Sequence, residues 1–197
     1  MRVIAGTYRS RQLTAPRGLG TRPTSDRLRE TLFNIIAPRI PACRFVDLYA
    51  GTGAVGIEAI SRGATHVWLS ENADLALASL RANLAALQIT HGYTLEDRGT
   101  GALLQRLAKT TPVDIVYLDP PYEAANEYES TLSLLGSARG KALLAPNALV
   151  IAEHSSKSTL AARYGALHHT RLLKQGDAAL SFYAIPSAES PATEQQI

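Results

Sequence analysis

From residue 44 onward, short apolar runs alternate with stretches of helical periodicity. "RFVDLYA" (44–50), "HVWLSE" (66–71), "VDIVYLD" (113–119) and "ALVIAEHS" (148–155) read as strands, and "YTLEDR" (93–98) as a weaker one. Residues 54–63, 73–88, 100–109 and 126–138 read as the helices between them. Strands that are apolar on both faces need cover on both faces, and alternation with helices makes their pairing parallel. "LHHTRLLKQG" and "AALSFYAIP" flank Gly176-Asp177, a hairpin signal that puts an antiparallel strand at one end. The expectation is a Rossmann-like α/β fold with a mostly parallel seven-stranded sheet.

The first 42 residues read differently. "RVIAG" (2–6) and "RQLT" (11–14) suggest a short strand pair around "TYRS". "APRGLGTRPT" is a proline- and glycine-punctuated loop. Thr24 or Ser25 can then cap a helix running to about Ile36, with Leu28, Leu32, Phe33 and Ile36 on its apolar face. Pro38 and Pro41 end it. The chain therefore divides into an N-terminal hairpin–helix extension (1–42), a main α/β domain (43–185) and a polar tail (186–197) expected to be disordered.

Charge is unevenly shared. Residues 1–44 hold nine arginines, no lysine and two acids, a balance of +7, whereas the whole chain carries only +3. The planar guanidinium fork suits phosphate, so a basic terminus points to nucleic acid. No run has the 18 or so apolar residues of a membrane span, and the N-terminus lacks the apolar core of a signal peptide. The single cysteine, Cys43, cannot form an internal disulfide and has no partner at metal-ligand spacing. It reads as a small buried apolar residue in a cytoplasmic protein without a metal site. No histidine stands at ligand spacing, and Trp68 reads as core.

"VDLYAGTGAVGIEA" follows the first strand and opens a helix, with Gly51, Gly53 and Gly56 in G-x-G-x-x-G spacing. Such glycines allow a tight turn and close approach of a ligand. Asp47, inside the strand, would repel a pyrophosphate but suits a cationic ligand. S-adenosylmethionine, with a sulfonium and an ammonium, is one. Glu71 ends the next strand, where a carboxylate can accept both hydroxyls of a ribose. That feature serves NAD equally well. Asp97, at the end of the third strand, could reach an adenine amino group.

The fourth strand stops on Asp119-Pro120-Pro121-Tyr122. At the carboxyl end of a central strand these residues lie beside the glycine loop. An exocyclic base nitrogen is a poor nucleophile, because its lone pair is delocalised into the ring. The Asp119 carboxylate and the Pro120 carbonyl could accept its two N–H bonds. The prolines hold that carbonyl in place, and Tyr122 offers a ring for the base to stack on.

"DPPY" after this glycine loop resembles the amino-group methyltransferases that use S-adenosylmethionine. "RVIAGTYRSRQLTAP", "GTRPTSDRLRETLFNII" and "DLYAGTGAVGIEAISRGA" further resemble the RsmD family, which methylates a guanine N2 of bacterial small-subunit (16S) ribosomal RNA. The resemblance runs from Arg2 to about Tyr183. It implies a class I methyltransferase fold, with the cofactor over Asp47, Tyr49, Gly51 and Gly53 and its ribose on Glu71. It implies that Asp119, Pro120, Pro121 and Tyr122 hold the guanine, and that Thr21, Arg22, Pro23 and Thr24 close over the site. Arg9, Arg11, Arg22, Thr24 and Arg27 would meet RNA, and the protein would act as a cytoplasmic monomer. After the third strand this chain has Glu96-Asp97-Arg98-Gly99, where family members often have a small polar residue or Asp followed by Ala. Three rivals remain on sequence: an adenine-N6 methyltransferase of DNA or RNA, a non-catalytic RNA-binding assembly factor, and an NAD-dependent oxidoreductase. Asp47 and the lack of a hydride-site His or Tyr-Lys pair count against the last.

Overall fold

The computed structural model describes residues 1–15, 25–121 and 125–186. Helix α1 (Asp26–Ile36) is followed by a 3-10 turn (Ala37–Arg39) and then by the alternating series. This is β1 (Arg44–Asp47), α2 (Ala54–Ser61), β2 (His66–Ser70), α3 (Asp74–Ala86), β3 (Tyr93–Glu96), α4 (Thr100–Leu107) and β4 (Val113–Leu118). Then come α5 (Ala125–Gly136), α6 (Ala138–Lys141), β5 (Leu144–Ser155), β6 (Arg163–Tyr164), β7 (Leu167–Gln175) and β8 (Ala178–Ala184). The strands form one sheet in the order β3-β2-β1-β4-β5-β8-β7-β6. The first five in that order are parallel, and β8, β7 and β6 extend the sheet antiparallel.

In β1 Phe45, Val46 and Asp47 are all buried, so neither face can be left to water. Two cores result, one on each face. Phe45, Ile115, Tyr117, Ile151 and Phe182 pack under Leu32, Phe33, Ile57 and Leu80 from α1, α2 and α3. Val46, Val116, Leu118, Val150 and Tyr183 pack under Leu103, Leu107 and Leu132 from α4 and α5. Each large side chain of this kind contributes roughly 1.5–3 kcal/mol on burial. Cys43 is a free, buried thiol in the first core.

The structure departs from the expectation in three places. Among the described residues it has eight strands, since the two-residue β6 is too short to leave a sequence pattern. β5 begins at Leu144, four residues before the apolar run, by way of Asn147 at φ +62° and a register shift against Val113 and Ile115. The N-terminal strand pair is reduced to a single bridge, Arg2 to Gln12. Around it the arms exchange backbone hydrogen bonds, the Val3 N–H to the Arg11 carbonyl at 2.9 Å and the Leu13 N–H to the Met1 carbonyl at 3.0 Å, while the stretch between them docks on α2. The N–H groups of Ile4 and Ala5 donate to the Glu58 carboxylate at 2.7 and 3.0 Å. Those of Thr7 and Tyr8 go to the Ser61 carbonyl and hydroxyl at 2.8 and 3.0 Å. Ser25 is the N-cap of α1, its hydroxyl accepting the Leu28 N–H at 3.1 Å. Thr24 and the polar tail from residue 187 lie outside the described residues. Among the described residues no helix is long and apolar enough to cross a membrane.

Candidate active site

Strand order reverses between β1 and β4: β2 and β3 lie to one side, β5 and the antiparallel strands to the other. At such a switch point the loops leaving the two central strands diverge and open a crevice. Asp47 pairs with Tyr117 across the sheet, and the next N–H, that of Leu48, donates to the Tyr117 carbonyl at 3.0 Å. The glycine loop after β1 and the Asp119-Pro120-Pro121 segment after β4 therefore leave the sheet side by side.

The loop is shaped by its backbone. Gly51 and Gly53 have φ of +56° and +82°, which side-chain-bearing residues rarely adopt. At Gly53 a Cβ would also overlap Leu80 of α3. The Gly51 N–H donates to Glu71 Oε2 at 2.8 Å, while Glu71 Oε1 accepts the N–H groups of Asn72 and Ala73 at 2.9 and 2.8 Å. Glu71 thus ties the end of β2 to the glycine loop. Its Oε2 keeps acceptor capacity, because a carboxylate oxygen has two lone pairs.

Asp47 is buried beneath the loop. Oδ2 accepts the Gly56 N–H at 3.1 Å, and Oδ1 has no hydrogen-bond partner among the described residues. Burial raises its pKa to about 7; the Gly56 and Tyr49 backbone N–H groups pull it down, and Glu71 and Glu153 push it further up. A buried carboxylate oxygen without a donor marks a place for a ligand's donor group. A cationic ammonium would supply both the hydrogen bond and the counter-charge.

Tyr49 points the other way. Its hydroxyl donates to Glu127 Oε2 at 2.8 Å and lies 3.2 Å from the Thr131 hydroxyl, linking the loop after β1 to α5. Burial raises its pKa. Asp119 is half-buried, Pro120 buried and Pro121 exposed. The Tyr128 hydroxyl sits 2.8 Å from the Glu153 carbonyl and 3.4 Å from that of Pro120, bracing the motif against β5. Beyond Tyr128 opens a cavity of about 210 Å³ whose lining includes His154, Ser155, Thr159 and Tyr164. Tyr122 lies outside the described residues, as do Thr21, Arg22, Pro23 and Thr24.

Asp97 lies one residue past β3. It is exposed, and its carboxylate accepts from Arg81 at 2.9 Å. The inward carboxylate is Glu96, paired with Arg98 at 2.7 Å and Arg106 at 3.7 Å. The hydrogen bonds from Arg98 hold its pKa below the ordinary carboxylate range. Arg9, Arg11 and Arg27 are exposed. Among the described residues no three metal-binding side chains converge.

Four polar residues of this region carry no motif. Glu58 and Asn83 are buried on α2 and α3, and Glu153 is buried on β5, accepting a hydrogen bond from Tyr117. Tyr128 is the fourth. The signal for Glu58 and Asn83 was a polar residue on an apolar helical face, within "AVGIEAIS" and "LRANLAAL". Glu153 and Tyr128 left no comparable mark.

The family model described as "Conserved hypothetical protein 95" matches residues 1–184. The ribosomal RNA small subunit methyltransferase D of Escherichia coli (strain K12) is 38% identical over 160 residues, covering 81% of this chain and 77% of the relative. That of Haemophilus influenzae is 35% identical over 154 residues, 78% of each chain. Among solved structures, the Escherichia coli protein yhhF has a TM-score of 0.78 at 35% identity, over 94% of this chain and 97% of that one. The structure of SMU.776 complexed with SAH shares the fold alone, with a TM-score of 0.63 at 15% identity over 81% of this chain and 48% of that one. With its glycine loop, its Asp119-Pro120-Pro121 turn and its N-terminal segment all inside the matched span, the chain belongs to the RsmD family.

Proposed function

We propose that this protein transfers a methyl group from S-adenosylmethionine to the exocyclic N2 of a guanine in 16S ribosomal RNA. The observation that carries the reading is the position of Asp119-Pro120-Pro121. In a chain related to small-subunit methyltransferases, it leaves β4 beside the glycine loop at the sheet's switch point.

The donor fits the residues present. When bound it supplies an electrophilic methyl group. Asp47 Oδ1 faces its ammonium, Glu71 takes its ribose hydroxyls, and Gly51 and Gly53 let the backbone approach. Asp119 and the Pro120 carbonyl accept the N–H bonds of the guanine amine and aim its lone pair. Tyr122 stacks on the ring. No strong base is needed, because the proton leaves after attack. Catalysis is positioning and electrostatics. The guanine is presented unpaired, since N2 must meet the methyl group in line. Exposed Arg9, Arg11 and Arg27, with Arg22 and Thr24, meet the RNA, and residues 1–42 act as its docking extension.

The test is incubation with methyl-labelled S-adenosylmethionine and, separately, unmethylated small subunits, naked ribosomal RNA and duplex DNA, followed by nucleoside identification. N2-methylguanosine from the ribosomal samples is the expected product. N6-methyladenosine or label in DNA would keep the chemistry at Asp119 and overturn the choice of substrate.

A further inference from the structure

Asn83 is buried on α3, and its amide makes four hydrogen bonds. Oδ1 accepts the Thr14 N–H at 2.8 Å and the Thr14 hydroxyl at 2.9 Å. Nδ2 donates to the Thr14 carbonyl at 3.0 Å and to the Thr52 carbonyl at 2.9 Å. The partners dictate the amide's orientation, because a backbone N–H requires the oxygen and a carbonyl requires the nitrogen. One side chain thus saturates its capacity on two separate stretches of chain, at Thr14 and at Thr52.

Those two pieces belong to different surfaces. Thr52 lies between Gly51 and Gly53 in the glycine loop. Thr14 belongs to the N-terminal segment that carries the exposed Arg9 and Arg11. Other contacts run alongside. The Thr52 hydroxyl lies 3.5 Å from Met1 Sδ, and the Arg11 guanidinium donates to the Ala86 carbonyl at the end of α3 at 3.3 Å. Leu80, one turn before Asn83, fills the space where a Gly53 side chain would stand.

We propose that Asn83 couples the two ligand surfaces, so that cofactor on the glycine loop and RNA on the N-terminal segment bind cooperatively. The inference rests on the function proposed above. A ligand seated on the loop fixes the Thr52 carbonyl. That fixes the Asn83 rotamer, which fixes both backbone groups of Thr14. The loop and the segment are then ordered together, so whichever ligand binds second meets a partly ordered site. The sign is positive, and by linkage the effect is reciprocal. Asn83 is a positioning residue and touches neither ligand.

The experiment measures the affinity for naked small-subunit RNA with and without saturating S-adenosylhomocysteine, in the unsubstituted chain and in Asn83→Ala. The unsubstituted chain is expected to bind RNA about 5-fold tighter with the nucleoside present, the low end for coupled sites. In Asn83→Ala the ratio falls to about one, as expected for two uncoupled sites. A purely structural role would weaken both affinities and leave the ratio intact, and an intact ratio overturns the proposal. Hydrogen exchange at the Thr14 amide of the unsubstituted chain gives a second readout that survives a folding failure in the variant. S-adenosylhomocysteine slows that exchange if Asn83 transmits the binding, and an unchanged rate overturns the coupling. Failure of the unsubstituted chain to bind S-adenosylhomocysteine overturns the functional reading itself, and the coupling with it.

Discussion

The Gly51 N–H donates to Glu71 Oε2 at 2.8 Å, so the carboxylate just past β2 already holds the loop that starts α2. Glu71 shapes the loop, and under the proposed function it also receives the ribose. Glu71→Gln keeps one oxygen and loses the charge on both. A hydrogen bond to a charged group is worth about 1.5–3 kcal/mol. S-adenosylhomocysteine affinity is expected to fall by about ten- to a hundredfold. Isothermal titration checks it, and an unchanged affinity would remove Glu71 from the cofactor site.

Asp47 gives the protein a pH dependence of known sign. Its folded pKa is about 7 against an ordinary 3.8, so between those values the folded state binds more protons than the unfolded one. Stability then falls as pH rises through this window, by at most about 1.4 kcal/mol per pH unit, and the contribution is flat above it. Cofactor affinity runs the opposite way. An ammonium at Oδ1 favours the ionised carboxylate, so binding tightens from pH 5.5 toward 7.5. Urea titrations and S-adenosylhomocysteine affinities across this range are expected to lose both trends in Asp47→Asn.

Asp119→Ala separates chemistry from cofactor binding. The carboxylate belongs to the motif after β4, while the proposed cofactor contacts lie on β1, just after β2 and in the glycine loop. Turnover is expected to drop by at least about a hundredfold, the scale seen when a transition-state hydrogen-bonding partner is removed. S-adenosylhomocysteine affinity stays within about threefold, a change of under 1 kcal/mol. Single-turnover methylation beside equilibrium binding tests the pair. Equal loss of both would place Asp119 in the cofactor site.

Glu58 is the hub of the N-terminal attachment. Besides the Ile4 and Ala5 amides it accepts from Arg62 at 2.7 Å and lies 3.9 Å from the buried Arg29 guanidinium. Glu58→Gln leaves Arg62 without its counter-charge and the buried Arg29 with Asp26 alone, at 2.9 Å. Breaking a buried pair from one side costs about 3–5 kcal/mol. A lower urea midpoint and weaker RNA binding are expected. A midpoint equal to that of the unsubstituted chain would make Glu58 a bystander.

The parallel core was legible because its strands are apolar on both faces and its helices keep the helical period. The hairpin at Gly176-Asp177 was legible because Gly176 sits at φ +62°, as such a turn demands. The glycine loop and the turn after β4 announced themselves through residues that no ordinary strand end needs. What escaped was set by tertiary contact. The N-terminal pair does form, as one antiparallel bridge between Arg2 and Gln12, but nothing in its residues announced that the stretch between its arms would dock its amides on α2. Asp97 looked like a strand-end acid, but β3 stops at Glu96 and Asp97 turns outward to Arg81. Glu153 and Tyr128 gained their places only when β5 was laid beside β4.

The N-terminal segment is held to α2 and α3 largely through its main chain. The amides of Ile4, Ala5, Thr7, Tyr8 and Thr14 and the carbonyls of Ala5 and Thr14 carry the attachment, and at Gly6 a side chain would overlap the Ser61 carbonyl. Main-chain atoms are the same in every amino acid. The side chains that face outward from this segment can therefore be exchanged without loosening its seat. If the segment docks RNA as proposed, drift or design can rewrite which RNA surface it fits while the sheet and the glycine loop stay as they are.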